Sequence, residues 1–168
     1  MDGEMLRLFY ERYSREIFLY LYSLCQNREA AQDLMQEVFL KALLSFEDAD
    51  GNLRAWLYKV ARNTCFNYLR AAKRETWIDE MVFAGVTSSL VEDLILEEQK
   101  RALYQGMMCL PQRQREILEL YYFSEMSIKE IAFFLKLTPE NVRVLAHRAK
   151  KKLRKYMEVN GYELQGND

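Results

Sequence analysis

Residue types that support covalent or metal chemistry are scarce in this chain. Among its 168 residues there is one histidine, His147, and there are three cysteines, Cys25, Cys65 and Cys109. A single histidine excludes multi-histidine metal sites, and it has no plausible serine or cysteine nucleophile nearby in the sequence. The cysteines form no C-x-x-C pair or disulfide framework, which suits a reducing cytoplasm. We expect neither an enzyme nor a bound metal or cofactor.

Contact with a polyanion is the chemistry that the sequence favours. The formal net charge is −1, yet residues 76–110 carry two basic and six acidic residues, and residues 111–168 carry eleven basic and eight acidic. Lysine and arginine cluster in two stretches without any acid, 51–74 and 141–157. Two basic helices separated by an acidic connector indicate two contacts with a polyanion such as nucleic acid.

Composition predicts an all-α protein. Six glycines and two prolines are too few for a many-stranded sandwich or barrel. Half of the residues are hydrophobic, which is enough for a core, and no run of about 18 apolar residues predicts a membrane span. The start of the chain does not resemble a signal peptide. We therefore expect a cytoplasmic protein without membrane insertion.

Periodicity and capping residues predict two small helical domains. Helices are expected over 4–25, 27–45 and 52–73, with Asn27 and Asn52 as N-caps. Residues 76–88 lose periodicity and are interpreted as a linker. A capping box at 89–92 opens a helix to about 108, and Pro111 takes the first position of the next. The predicted division is domain 1–75, linker 76–88, domain 89–160 and tail 161–168.

The first domain is expected to separate acidic from basic surfaces. The second helix points Ala31, Leu34, Val38 and Ala42 inward, and its outward face is acidic, ending in one apolar residue. That face carries Asp33, Gln36, Glu37 and Leu40. It is either a solvated acidic surface, which the residues alone favour, or a contact for a basic protein groove. The third helix directs Leu53, Trp56, Leu57, Val60 and Thr64 inward, with Trp56 as a core residue. Its outward ladder is Lys59, Asn63, Asn67, Arg70 and Arg74, in which lysine and arginine bind phosphate and asparagine can contact base edges.

Residues 127–152 are typical of a helix-turn-helix. Ser127 and Glu130 form a capping box, the first helix runs from 128 to 135, and the turn is 136–138. The second helix begins at Pro139, with Val142, Leu145, Ala149 and Leu153 expected on the core side. The opposite stripe is Glu140, Arg143, Val144, His147 and Lys151, which would enter a major groove. Thr138 and the free backbone N–H groups at the helix start can hold a phosphate.

Four blocks in this order resemble the extracytoplasmic-function (ECF) group of bacterial sigma-70 factors. The first is Ala30 to Ala42, AAQDLMQEVFLKA, similar to the region-two helix that binds the polymerase clamp helices. The second is Leu53 to Asn63, LRAWLYKVARN, continuing to Arg70. Two further blocks, 110–132 and 142–153, resemble the halves of region four. Members usually have glycine where Lys136 stands, and a left-handed non-glycine residue there costs about 1 kcal/mol.

The resemblance implies a dissociable polymerase subunit that recognises promoters and promotes strand opening. The implied partners are core RNA polymerase, through its β′ clamp helices and β flap, promoter DNA and an anti-sigma factor. Polymerase-binding residues are then Asp33, Leu34, Gln36, Glu37 and Leu40. Minus-ten residues are Phe46, Asp48, Asn52, Lys59, Arg62, Asn63, Asn67, Arg70, Lys73 and Arg74, with Phe46, Asp48 and Asn52 around an unstacked base. Minus-thirty-five residues are Thr138, Pro139, Glu140, Asn141, Arg143, Val144, His147, Arg148, Lys151 and Lys152.

Two alternatives belong to other functional classes. A stand-alone helix-turn-helix regulator with a helical sensor domain would bind duplex DNA without polymerase. A helical protein-interaction adaptor would leave both basic runs solvated. A gel shift with and without core polymerase separates the three functions.

Overall fold

The computed structural model describes residues 3–45, 52–75 and 97–162, with the side chains of 74 and 75 excepted. Within these residues it has seven helices and no strand, as the all-α prediction requires. They are α1 (Gly3–Cys25), α2 (Arg28–Ser45), α3 (Leu53–Glu75), α4 (Glu98–Met107), α5 (Gln112–Tyr122), α6 (Ile128–Leu135) and α7 (Pro139–Val159). The chain divides into two compact units, Met1–Ala84 and Gly85–Asp168.

Asparagine caps start the second and third helices of the first unit. The Asn27 Oδ1 accepts a hydrogen bond from the Ala30 N–H at 3.0 Å, and the Asn52 Oδ1 accepts one from the Ala55 N–H at 3.1 Å. Each cap satisfies one of the backbone donors that a helix start leaves open. Both predicted caps are confirmed, and they place the starts of α2 and α3 where the sequence analysis put them.

The core of the first unit is aromatic and lies between α1, α2 and α3, which all contact one another. Tyr20 and Tyr58 are fully buried with ring centroids 5.1 Å apart, and Phe9 meets Phe39 at 5.7 Å. The residues from Ile17 to Cys25 are all buried. The amphipathic pattern of α1 thus describes its first half, while its second half is apolar all round and lies inside.

The inward face of α3 differs from the predicted one. Leu57 and Thr64 are buried as expected, but Leu53, Trp56 and Val60 are only partly buried. The fully buried positions are Leu57, Tyr58, Ala61 and Cys65. The helix is rotated because the Tyr58 ring takes the core position opposite Tyr20, and small side chains at 61 and 65 allow close packing. Trp56, which the sequence analysis assigned to the core, is therefore a partly buried residue at its edge.

In the second unit α7 contacts α4, α5 and α6. Its core includes Ala102, Met107, Leu110, Leu118, Ala149, Leu153 and Met157. Helix α4 approaches α7 closely at Gly106, where a Cβ atom would lie 2.6 Å from both Leu153 Cδ1 and Tyr156 Cδ1. Glycine allows this close approach, because a Cβ atom at position 106 would require the Leu153 and Tyr156 side chains to shift.

Helix starts in the second unit agree with the sequence at α6 and α7 but not at α4 and α5. The helix predicted from 89 to about 108 contains an extended residue, the N-cap Glu97 with ψ 120°, and α4 begins at Glu98. Ser127 and Glu130 form the predicted reciprocal capping box. Pro111 is the N-cap of α5 and not its first helical residue, because its ψ of 146° is extended while its carbonyl accepts the Arg115 N–H. The predicted linker 76–88 and the capping box at 89–92 lie outside the described residues. Among the helices that are described, none has the length and hydropathy of a membrane span.

Candidate functional site

The acidic face of α2, defined by Asp33, Gln36, Glu37 and Leu40, is exposed as predicted. Leu40 is 56% exposed, and Leu44, one turn further along the same side, is 76% exposed. The face therefore ends in two leucines, of which the sequence analysis identified only the first. Leu34, which the resemblance placed among the polymerase-binding residues, is 5% exposed and packs in the core. Its position in the helical period turns it inward, so it supports the face and does not form it.

A three-residue contact joins the acidic face to α3. The Lys41 ammonium lies 2.7 Å from the Glu37 Oε1, and it donates a hydrogen bond to the Thr64 Oγ1 at 3.0 Å. Glu37 and Lys41 are each about half exposed, whereas Thr64 is buried. This link could not be predicted from the sequence, because Lys41 and Thr64 belong to different helices.

The outward ladder of α3 is also exposed. Lys59, Asn63, Asn67 and Arg70 all face solvent, and the Arg70 Nη2 donates to the Asn67 Oδ1 at 2.5 Å. Lys73 and Asn52 are exposed too, although the Asn52 side chain serves as the α3 cap. Arg62 is partly buried with its guanidinium 4.5 Å from the centre of the Phe66 ring. Phe46, Asp48 and the side chain of Arg74 lie outside the described residues.

Arg54, the first basic residue of α3, has an internal role. Its Nη2 lies 2.9 Å from the Glu16 Oε2 and its Nε donates to the Oε1 at 3.3 Å. The Tyr58 hydroxyl donates to the same carboxylate at 3.2 Å. This forked pair fixes the start of α3 against α1, so Arg54 does not add to the exposed ladder.

The turn between α6 and α7 contains a left-handed lysine. Lys136 has φ 57° and ψ 44°, the conformation that glycine adopts at least cost. The Leu137 N–H donates to the Ala132 carbonyl at 2.9 Å and the Lys136 N–H to the Phe133 carbonyl at 3.4 Å. These two bonds form a Schellman motif, which ends α6 and allows α7 to start three residues later. The turn therefore forms without glycine, with a lysine in the left-handed conformation.

The start of α7 is capped by Thr138, whose Oγ1 accepts the Asn141 N–H at 3.1 Å. Pro139 follows at the first helical position, as predicted. The groove stripe of α7, defined by Glu140, Arg143, Val144, His147 and Lys151, is exposed throughout, as are Asn141, Arg148 and Lys152. Within the part of the chain that the structure describes, Arg143 forms a long ion pair with Glu140, 3.9 Å between two exposed side chains. Its guanidinium is thus held weakly enough to contact another group.

The core side of α7 differs from the prediction at one position. Val142, Ala149 and Leu153 are buried, but Leu145 is only partly so and Ala146 is buried beside them. The small Ala146 side chain fits where α7 crosses its neighbours. Further along, the Lys150 ammonium lies 4.8 Å from the centre of the Tyr121 ring on α5, so this lysine has an aromatic partner that its place in a basic run did not reveal.

Comparison with known proteins identifies both units. Residues 9–75 match the family model described as Sigma-70 region 2, and residues 100–153 match the one described as Sigma-70, region 4. The ECF RNA polymerase sigma factor EcfG of Rhodopseudomonas palustris is 32% identical over 87% of this chain and 81% of its own. The RNA polymerase sigma factor YlaC of Bacillus subtilis is 30% identical over 88% and 89%.

The chain belongs to the ECF group of sigma-70 factors. A solved structure has the same fold, with a TM-score of 0.68, 20% identity and coverage of 90% of this chain and 98% of that one. It is the sigma factor RpoE in complex with the anti-sigma factor NepR from Bartonella quintana. As a member of this family the protein is a sigma factor that directs RNA polymerase to promoters, and the predicted function is confirmed.

Proposed function

We propose that three exposed surfaces divide the work of this sigma factor. The acidic face of α2 binds core RNA polymerase at the β′ clamp helices. The outward ladder of α3 contacts the minus-ten element, and the groove stripe of α7 contacts the minus-thirty-five element. The observation that carries the proposal is the separation of charge within one unit, with carboxylates exposed on α2 and cations on α3.

The acidic face has the character of a protein contact and not of a DNA contact. Asp33 and Glu37 would repel phosphate, whereas a basic groove on another protein would attract them. Leu40 and Leu44 add exposed apolar area beside the acids, which a solvated helix face does not need. Burying both leucines on binding would contribute about 1.5–3 kcal/mol each when complete.

The two basic surfaces suit different parts of a promoter. On α3 the cations are interleaved with Asn63 and Asn67, whose amides can hydrogen-bond to exposed base edges. On α7 the stripe begins directly after the Thr138 cap, so its first turns would lie deepest in a major groove. The later cations, including Lys151 and Lys152, would then contact phosphates.

The remaining partners follow from family membership. The second unit would bind the β flap. An anti-sigma factor would bind the protein, as NepR binds RpoE and the cytosolic domain of CnrY binds CnrH in solved complexes. We place the protein in the bacterial cytoplasm, where polymerase acts. Catalysis would belong to the polymerase core and not to this chain.

A charge reversal tests the polymerase surface. The Asp33→Lys/Glu37→Lys variant should lose capture by core polymerase in a pull-down, while its circular dichroism stays that of the unchanged protein, because both side chains are exposed. Glu4→Lys/Glu11→Lys is the matched control, since it reverses two exposed acids on α1. Equal capture of the Asp33/Glu37 variant and the unchanged protein would refute the assignment of this face.

The stand-alone regulator and the adaptor are not favoured by the family matches. A gel shift still separates them from the proposal. A sigma factor shifts a promoter fragment strongly only with core polymerase, a regulator shifts it alone, and an adaptor shifts it in neither case.

A further inference from the structure

Lys41 lies where the polymerase-facing helix meets the DNA-facing helix. Its ammonium contacts the Glu37 carboxylate at 2.7 Å on its own helix and the Thr64 hydroxyl at 3.0 Å on α3. Thr64 is 4% exposed, and Glu37 is one of the two acids of the acidic face. We propose that Lys41, anchored by Thr64, is a positioning residue that holds the Glu37 carboxylate ready for polymerase. This inference rests on the proposed role of the acidic face.

The geometry favours positioning because one partner of Lys41 is fixed. Thr64 is buried between helices, and as a β-branched residue it has few side-chain rotamers, so its hydroxyl has a fixed place. An ammonium bound to that hydroxyl is restrained in turn, and it restrains the carboxylate that it contacts. A lone i,i+4 pair on a helix surface has no such anchor and usually fluctuates.

Restraint of Glu37 before binding should strengthen polymerase binding. A free glutamate side chain loses rotamer freedom when a partner immobilises it, and that loss weakens the complex. Because about half of the Glu37 side chain stays exposed beside Lys41, the carboxylate is positioned without being covered. The Lys41 charge opposes this gain by repelling a basic groove, so variants that keep the charge give the clearest test.

Thr64→Val is the decisive variant, since it removes the hydroxyl while leaving the charge and the shape of the site unchanged. Its dissociation constant for core polymerase, measured by fluorescence anisotropy with a labelled full-length chain, should rise about two- to fivefold. Thr64→Ser keeps the hydroxyl and loses the methyl group, and it should bind core polymerase as the unchanged protein does. A purely steric role for Thr64 predicts the opposite order, with valine the better substitute. Thermal unfolding of both variants reports any loss of the fold.

A double-mutant cycle with Glu37→Ala ties the effect to the carboxylate. Glu37→Ala alone should weaken binding, and Thr64→Val should then add nothing. If Glu37→Ala binds as well as the unchanged protein, the proposed polymerase surface fails. Two outcomes overturn only the positioning role of Lys41. In the first, Glu37→Ala weakens binding but Thr64→Val does not. In the second, Thr64→Val weakens binding equally whether residue 37 is glutamate or alanine.

Discussion

Arg143→Ala tests whether α7 contacts base edges. Arg143 lies on the second turn of the groove stripe, and its one ion pair spans 3.9 Å between exposed side chains. Such a pair contributes about 0.2–1 kcal/mol, so the substitution should hardly change the free energy of unfolding. A bidentate contact from arginine to a base contributes about 1–3 kcal/mol, which is roughly five- to 150-fold in affinity. That loss should appear on the cognate minus-thirty-five element and be much smaller on a scrambled one.

Lys151→Ala and Lys152→Ala should behave differently, because both residues lie later in α7. They should weaken binding to cognate and scrambled elements about equally. Each lost phosphate contact should reduce the magnitude of the negative slope of log affinity against log salt by about 0.9. The assay is a salt titration of holoenzyme on both DNAs, with Lys100→Ala on α4 as an exposed-lysine control. Equal losses from Arg143→Ala on both DNAs would make it a phosphate contact. If none of the α7 variants lost affinity, the groove stripe would not face DNA.

Two further predictions concern stability and use urea unfolding as the measurement. Gly106→Ala should destabilise the second unit by a net amount of about 1–2 kcal/mol, because the new Cβ would lie 2.6 Å from side-chain atoms of Leu153 and Tyr156. A variant of equal or greater stability would contradict the close approach of α4 to α7. Lys136→Gly should stabilise the protein by about 1 kcal/mol, because glycine adopts the left-handed conformation at φ 57° without the steric strain of a lysine side chain. A loss of stability would show that the lysine side chain makes a compensating contact.

Local signals in the sequence predicted local structure well. The caps at Asn27, Asn52, Ser127 and Thr138 each depend on a side chain and a backbone N–H three residues away, so a short window contains the whole interaction. The exposed stripe of α7 could be predicted from the helical periodicity together with its charged side chains, which cannot be buried without partners. The left-handed turn was foreseen only through the family resemblance, which placed a glycine where Lys136 stands.

Contacts between helices were not predictable in the same way. Arg54 and Glu16 are 38 residues apart in the sequence, and Lys41 and Thr64 are 23 apart. Periodicity assigns each residue to a face but does not say which residue of another helix it meets. For this reason the acid-free basic stretch 51–74 did not reveal that one of its cations, Arg54, is held by a carboxylate on α1.

The ion pairs of the first unit bear on how a chain of net charge −1 can bind DNA. Phosphate affinity depends on the cations that a surface presents within about one Debye length, roughly 8 Å at physiological salt, and not on the sum over the chain. In the first unit Lys41 is engaged with Glu37 within α2, and Arg54 of α3 is engaged with Glu16 of α1, so two of its cations neutralise acids. The cations of the α3 ladder face solvent, and Asp33 is exposed on α2. Under the proposed function, this separation of charge between α2 and α3 would let one small bundle bind a polymerase and a promoter at once.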